Sequence, residues 1–128
     1  MKKDLKTLSL EELLERYNEV ALLMGYDSDN LLTRSYTHRF KEKQRIVDEF
    51  WARSAIDALL PGIRHENPWI RYFSAANCGE IAPAETEAVL EELARIPYGT
   101  VGSQARTALY IIRSGIAVSR RPPQAPKG

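Results

Sequence analysis

The chain has 128 residues, of which 44% are hydrophobic and 27% charged, and its formal net charge is +1. This length suits a single folded domain, and the composition excludes a largely disordered chain. Because the charges nearly balance, they exclude a long-range field that would attract nucleic acid or an anionic membrane. The single cysteine excludes an intrachain disulfide and a cysteine-rich zinc site.

The amino terminus has a basic start without an apolar run behind it, and no window is apolar over the length that spans a bilayer. We therefore expect a cytoplasmic protein with no membrane partner. The predicted organisation is an amino-terminal extension (1–8), one helical domain (9–118) and a tail rich in Pro and Arg (119–128). The tail is expected to be disordered, because SRRPPQAPKG offers no apolar anchor.

A capping box predicts where the first helix begins. Ser9 and Glu12 have the spacing at which each side chain accepts a hydrogen bond from the other residue's free N–H. The helix should therefore start at Leu10, and Gly25 is expected to end it.

A second helix is expected to follow, with Ser28 or Asp29 as its cap and an end near Ala52. Its apolar positions recur in steps of three and four residues, with only Lys43 out of character. The basic residues on this helix are Arg34, His38, Arg39, Lys41, Lys43 and Arg45.

The remaining helices are predicted in pairs. Asn67 can cap a helix that has Pro68 at its first position, where the missing N–H has no partner anyway. A helix before this one is indicated by apolar residues at helical spacing, namely Ile56, Leu59, Leu60 and Ile63. Two more are expected from Pro83 and over Thr100 to Ser114, with Gly115 as the final stop.

The helix after Asn67 resembles the second helix of a HEAT repeat. The matching residues are Pro68, Ile70-Arg71, Ala75-Ala76 and Gly79-Glu80-Ile81. The resemblance implies an all-α fold, a right-handed stack of helical hairpins of the HEAT/armadillo type with about six helices.

Further residues look like those of a family of small bacterial HEAT-like proteins, catalogued only as a domain of unknown function. They are Leu14-x-Arg16-Tyr17, Ala21, Gly25-Tyr26-Asp27, Asn30, His65-x-Asn67-x-x-Ile70-Arg71, Ala75-Ala76, Ala82-Pro83 and Gly115-Ile116. The resemblance implies a bacterial, cytoplasmic setting and brings no catalytic residues.

Few residue patterns indicate chemistry. His38 and Glu42 are four apart on one helix face, but a zinc site needs a third ligand, so we predict no metal and no cofactor. Cys78 is expected to be a buried, inert thiol. The segment 99–103 contains Gly-x-x-Gly at a helix start and could present N–H groups to an anion, although a turn with positive φ explains it equally well.

Our leading functional hypothesis is a non-enzymatic α-helical module that binds a protein partner, for example as an immunity-type or adaptor protein. Aromatic residues and Arg dominate binding hot spots. The predicted binding face is therefore Trp69, Arg71, Tyr72, Arg106, Tyr110 and Arg113.

Two alternatives remain open. One is binding of a nucleic-acid backbone through the basic second helix, at Arg34, His38, Arg39, Lys41 and Arg45. The other is a small-ligand pocket around Asn77, with Ser74 and His65, because an inward-facing amide needs a partner. The sequence leaves the identity of the partner and the oligomeric state open.

Overall fold

A computed structural model of the protein describes residues 4–115, and within this range every regular element is helical. The α-helices are α1 (Leu10–Asp29), α2 (Thr33–Ala52), α3 (Pro68–Asn77), α4 (Pro83–Ala94) and α5 (Val101–Arg113). A 3-10 helix spans Ile56–Arg64, and a short 3-10 turn spans Leu5–Thr7. The predicted tail (119–128) and the end of the predicted domain (116–118) lie outside the described residues.

The helices form three successive hairpins: α1 with α2, the 3-10 helix with α3, and α4 with α5. Helix α3 is central, because it packs on α1, on the 3-10 helix, on α4 and on α5. The predicted all-α stack of helical hairpins is therefore confirmed. Among residues 4–115, no helix has both the length and the apolar character that crossing a membrane requires.

Helix α1 begins as predicted but is longer than predicted. Ser9 Oγ accepts from the Glu12 N–H at 3.1 Å, and the Ser9 N–H donates to Glu12 Oε1 at 3.0 Å. The prediction that Gly25 ends the helix is wrong. Gly25 lies inside α1, and its backbone packs against the indole of Trp69. The helix ends at Asp29, and Leu31 then adopts a left-handed backbone with φ of 58°.

Helix α2 starts at Thr33, later than predicted, and no side chain caps it. The expected caps, Ser28 and Asp29, belong to the last turn of α1 and bond to the start of α5. Lys43 is buried, with its ammonium 4.6 Å from the ring centroid of Phe73. A cation over an aromatic face explains how a lysine can occupy an apolar position.

The second hairpin contains one unexpected element. The segment Ile56–Arg64 is a 3-10 helix with Pro61 inside it, where the spacing of the apolar residues predicted an α-helix. Proline disfavours the interior of an α-helix, because its ring clashes with the carbonyl four residues earlier. Helix α3 agrees with prediction, since Asn67 Oδ1 accepts from the Trp69 and Ile70 N–H groups at 2.9 and 3.2 Å.

The segment predicted as an amino-terminal extension is partly packed on the domain. Leu8 is buried, and Leu5 packs against the core. Arg53, just after α2, donates from Nη2 to the Leu5 carbonyl at 2.9 Å. Residues 5–8 are therefore packed against the helical domain and do not form a separate extension.

Candidate functional site

The outward side of α5 carries an exposed tyrosine between two arginines, which we call the Tyr110 face (Arg106, Tyr110 and Arg113). Steps of four and three residues place the three side chains on one side of the helix. Tyr110 is 71% exposed. Its hydroxyl makes no hydrogen bond with any residue in the described part of the chain.

Both arginines of the Tyr110 face are held by α4. Arg106 Nη1 donates to the Ala94 carbonyl at 2.9 Å. Arg113 donates from Nε to Glu87 Oε1 at 2.8 Å and from Nη2 to Glu91. Their guanidinium groups are thus already positioned, which lowers the conformational entropy that they would lose on binding a partner.

The other half of the predicted binding face is not at the surface. Trp69 and Tyr72 are only 5% and 9% exposed, so the prediction that they form an accessible face is wrong. Both pack into the core: Trp69 stacks on Phe73, and Tyr72 lies edge-on to Trp69. Arg71 is half-buried and bonds to the Ile63 carbonyl and to Glu92.

The predicted nucleic-acid residues divide into two groups. Arg34, His38, Lys41 and Arg45, here called the α2 basic stripe, are exposed and follow one another in steps of four, three and four. None of the four side chains makes a hydrogen bond or ion pair within residues 4–115. Arg39 does not belong with them, because its Nε lies 2.9 Å from a carboxylate oxygen of the buried Asp27.

The residues of the predicted ligand pocket serve the core instead. Asn77 Nδ2 donates to the Phe73 carbonyl at 2.9 Å and to the Tyr17 hydroxyl at 3.3 Å, and Ser74 Oγ lies 3.5 Å from the same hydroxyl. Burial raises the pKa of Tyr17 to about 12, although its hydrogen bonds with Ser74 and Asn77 oppose the rise. His65 is exposed, and the structure does not bring it to this cluster.

The start of α5, where the sequence suggested anion binding, already holds an anion from the protein itself. Asp29 Oδ1 accepts from the Thr100 N–H at 2.8 Å and from its hydroxyl at 2.9 Å, while Asp29 Oδ2 accepts from Trp69 Nε1 at 3.0 Å. A carboxylate at a helix amino terminus is favoured by the helix dipole. We call these bonds the Asp29 clasp; they join α1, α3 and α5.

The electrostatics of the Asp29 clasp favour the charged carboxylate. Burial alone would raise the pKa of Asp29, but the hydrogen bonds from Thr100 and Trp69 outweigh it and lower the pKa. Gly99 has a φ of 65°, so the turn explanation of the glycine also holds. The sequence analysis assigned Asp29 to capping the second helix and so missed its bonds to Thr100 and Trp69.

The described residues contain neither a cluster of potential metal ligands nor an exposed thiol. Among residues 4–115, no group of three His, Cys, Asp or Glu side chains could hold a metal ion. Cys78 is buried as predicted. Burial, together with the charges of Asp57 and Glu85, raises its pKa to about 11, so the reactive thiolate is disfavoured.

Comparison with known proteins supports the fold. No family model matches the chain, and no curated protein sequence matches it. The crystal structure of the protein RPA1889 from Rhodopseudomonas palustris CGA009 is similar, with a TM-score of 0.82 at 20% sequence identity. The similarity covers 92% of this chain and 99% of that one, so the stack of hairpins as a whole is shared.

Proposed function

We propose that the protein is a non-enzymatic α-helical module that binds a protein partner through the Tyr110 face. The observation that supports this most is the exposed ring of Tyr110 between two arginines that α4 already holds. Tyrosine and arginine are enriched in binding hot spots, and rigid neighbours reduce the entropy cost of association.

The proposal includes the setting implied by the sequence. The protein belongs in the bacterial cytoplasm, among small HEAT-like proteins of a family catalogued as a domain of unknown function. An immunity-type or adaptor protein is a concrete form of such a module. In either role the partner would cover the outward side of α5 and leave the buried aromatic residues of α3 in the core.

The test is the affinity for a partner recovered from the native cell and then purified. Tyr110→Ala should weaken binding by at least about 2 kcal/mol, which is about thirtyfold in Kd. The matched control is Tyr98→Ala, because Tyr98 is similarly exposed at 69% but precedes the other end of α5. Equal affinities for the wild type and the Tyr110 variant would rule out this face.

Nucleic-acid binding is a second candidate, favoured by the α2 basic stripe. Four exposed basic side chains without partners in the described part of the chain could follow a phosphate backbone. This function requires an affinity for DNA or RNA that falls steeply with salt, and Lys41→Ala should reduce that salt dependence. Absence of binding to duplex and single-stranded probes at low ionic strength would eliminate it.

A further inference from the structure

The outward side of α1 carries a second stripe, with acidic and apolar residues. It consists of Glu15, Glu19, Leu22 and Tyr26, here called the α1 outer stripe. Leu22 and Tyr26 are 44% and 61% exposed, and both glutamates are exposed. Neither carboxylate makes a hydrogen bond or ion pair with another described residue.

The α1 outer stripe and the α2 basic stripe have the same spacing when read in opposite directions. Along α1 the steps are four, three and four residues, and they remain four, three and four along α2 from Arg45 back to Arg34. Equal steps place the side chains of both stripes at the same heights along their helices. When an α1 and an α2 run antiparallel, each residue of one stripe therefore lies opposite one residue of the other.

Each stripe is unfavourable in an isolated molecule. Glu15 and Glu19 are like charges four residues apart on one helix, and so are Lys41 and Arg45. Like charges at this spacing destabilise a helix. Leu22 and Tyr26 add exposed apolar surface beside the acids. A partner that carries the complementary pattern would relieve both the repulsion and the exposure.

We infer that two copies of the chain associate through their first hairpins, with α1 of each copy antiparallel on α2 of the other. A two-fold axis parallel to the helices produces this arrangement and makes every contact twice. The contacts are Glu15 with Arg45 of the partner subunit, Glu19 with the partner's Lys41, Leu22 with the partner's His38, and Tyr26 with the partner's Arg34.

The chemistry of these four contacts is favourable at each position. Two are ion pairs between carboxylates and basic side chains. Tyr26 can receive the partner's Arg34 over its ring as a cation–π contact, which exposed arginines form readily. Leu22 is covered by the ring of the partner's His38. This surface is separate from the Tyr110 face, so the dimer and the proposed binding function can be tested independently.

The same observations favour a second copy over nucleic acid on the α2 basic stripe. The glutamates of the α1 outer stripe lie on the helix that pairs with α2, and they would repel a phosphate backbone. A second copy, in contrast, satisfies the acids and the bases together. Exposed ion pairs are individually weak and are screened by salt, so the dimer should depend on concentration and ionic strength.

The experiment measures the mass of the full chain by sedimentation at low and high ionic strength. Wild type should be dimeric at low salt and should dissociate at high salt. Glu15→Lys with Glu19→Lys should be monomeric, and so should Lys41→Glu with Arg45→Glu, because each double variant places like charges across both contacts. Circular dichroism confirms that these surface variants fold.

Mixing the two double variants is the decisive step. In the mixture, each α1 meets an α2 of opposite charge, so a heterodimer should form at low salt although neither variant dimerises alone. A wild type that stays monomeric at every concentration would overturn the inference, and so would double variants that stay dimeric. Binding of a single-stranded DNA probe by a monomeric wild type would assign the α2 basic stripe to nucleic acid instead.

Discussion

At Gly25 the backbone of α1 approaches the indole of Trp69 so closely that no side chain fits between them. A Cβ at this position would lie 2.3 Å from Trp69 Cγ. Trp69 cannot easily move, because it stacks on Phe73 and donates to Asp29. We expect Gly25→Ala to lower the free energy of unfolding by about 1–3 kcal/mol, as overpacking of a core does, measured by urea denaturation.

Gly79 provides the matched control for Gly25. A Cβ there would meet no heavy atom closer than 3.8 Å, so Gly79→Ala should be tolerated. If both alanine variants had the stability of the wild type, the close approach of α1 to Trp69 would be contradicted. The close approach of Trp69 thus explains why α1 has a glycine in its interior. Glycine at such a position otherwise destabilises a helix, because it loses more conformational entropy on folding than other residues do.

At the scale of elements, the Asp29 clasp connects the end of α1 to the start of α5 and to the first turn of α3. Because folding lowers the pKa of Asp29, its contribution to stability is present above the unfolded-state pKa and is lost as the pH falls through the folded-state pKa. Asp29→Asn should therefore be less stable than the wild type at neutral pH. The difference should shrink in acid.

Urea unfolding over a series of pH values measures the effect of the Asp29 clasp. Asp57→Asn is the control, since Asp57 is exposed and its carboxylate makes no hydrogen bond within residues 4–115. A variant at Asp29 that tracks the wild type at every pH would show that the clasp contributes nothing to stability.

At the scale of the whole molecule, Cys78 reports on opening of the core. It follows α3, which packs on three other α-helices, and its side chain is fully buried. A thiol reagent such as DTNB should label the native protein slowly, at a rate set by unfolding, and should label it at once in urea. Rapid labelling of the folded chain at neutral pH would contradict both the burial and the raised pKa of Cys78.

Elements with local signals were predictable, and elements shaped by distant contacts were not. The starts of α1 and α3 depend on side chains that bond to N–H groups two or three residues away, at Ser9 and Asn67. In contrast, the start of α2 has no side-chain cap, and Asp29 accepts hydrogen bonds from residues far along the chain. The spacing of apolar residues gave the helical period but did not distinguish a 3-10 helix from an α-helix around Pro61.

Helical periodicity and capping are local, so residue patterns alone predict the all-α hairpin architecture, the burial of Cys78 and the alignment of the α2 basic stripe. Which aromatic residues are accessible depends instead on how distant helices pack. Trp69 and Tyr110 both lie on predicted helices next to arginines, yet one is buried and the other exposed. The difference arises because Gly25 of α1 leaves room for the indole of Trp69, whereas no helix in the described part of the chain covers the outward side of α5, where Tyr110 lies.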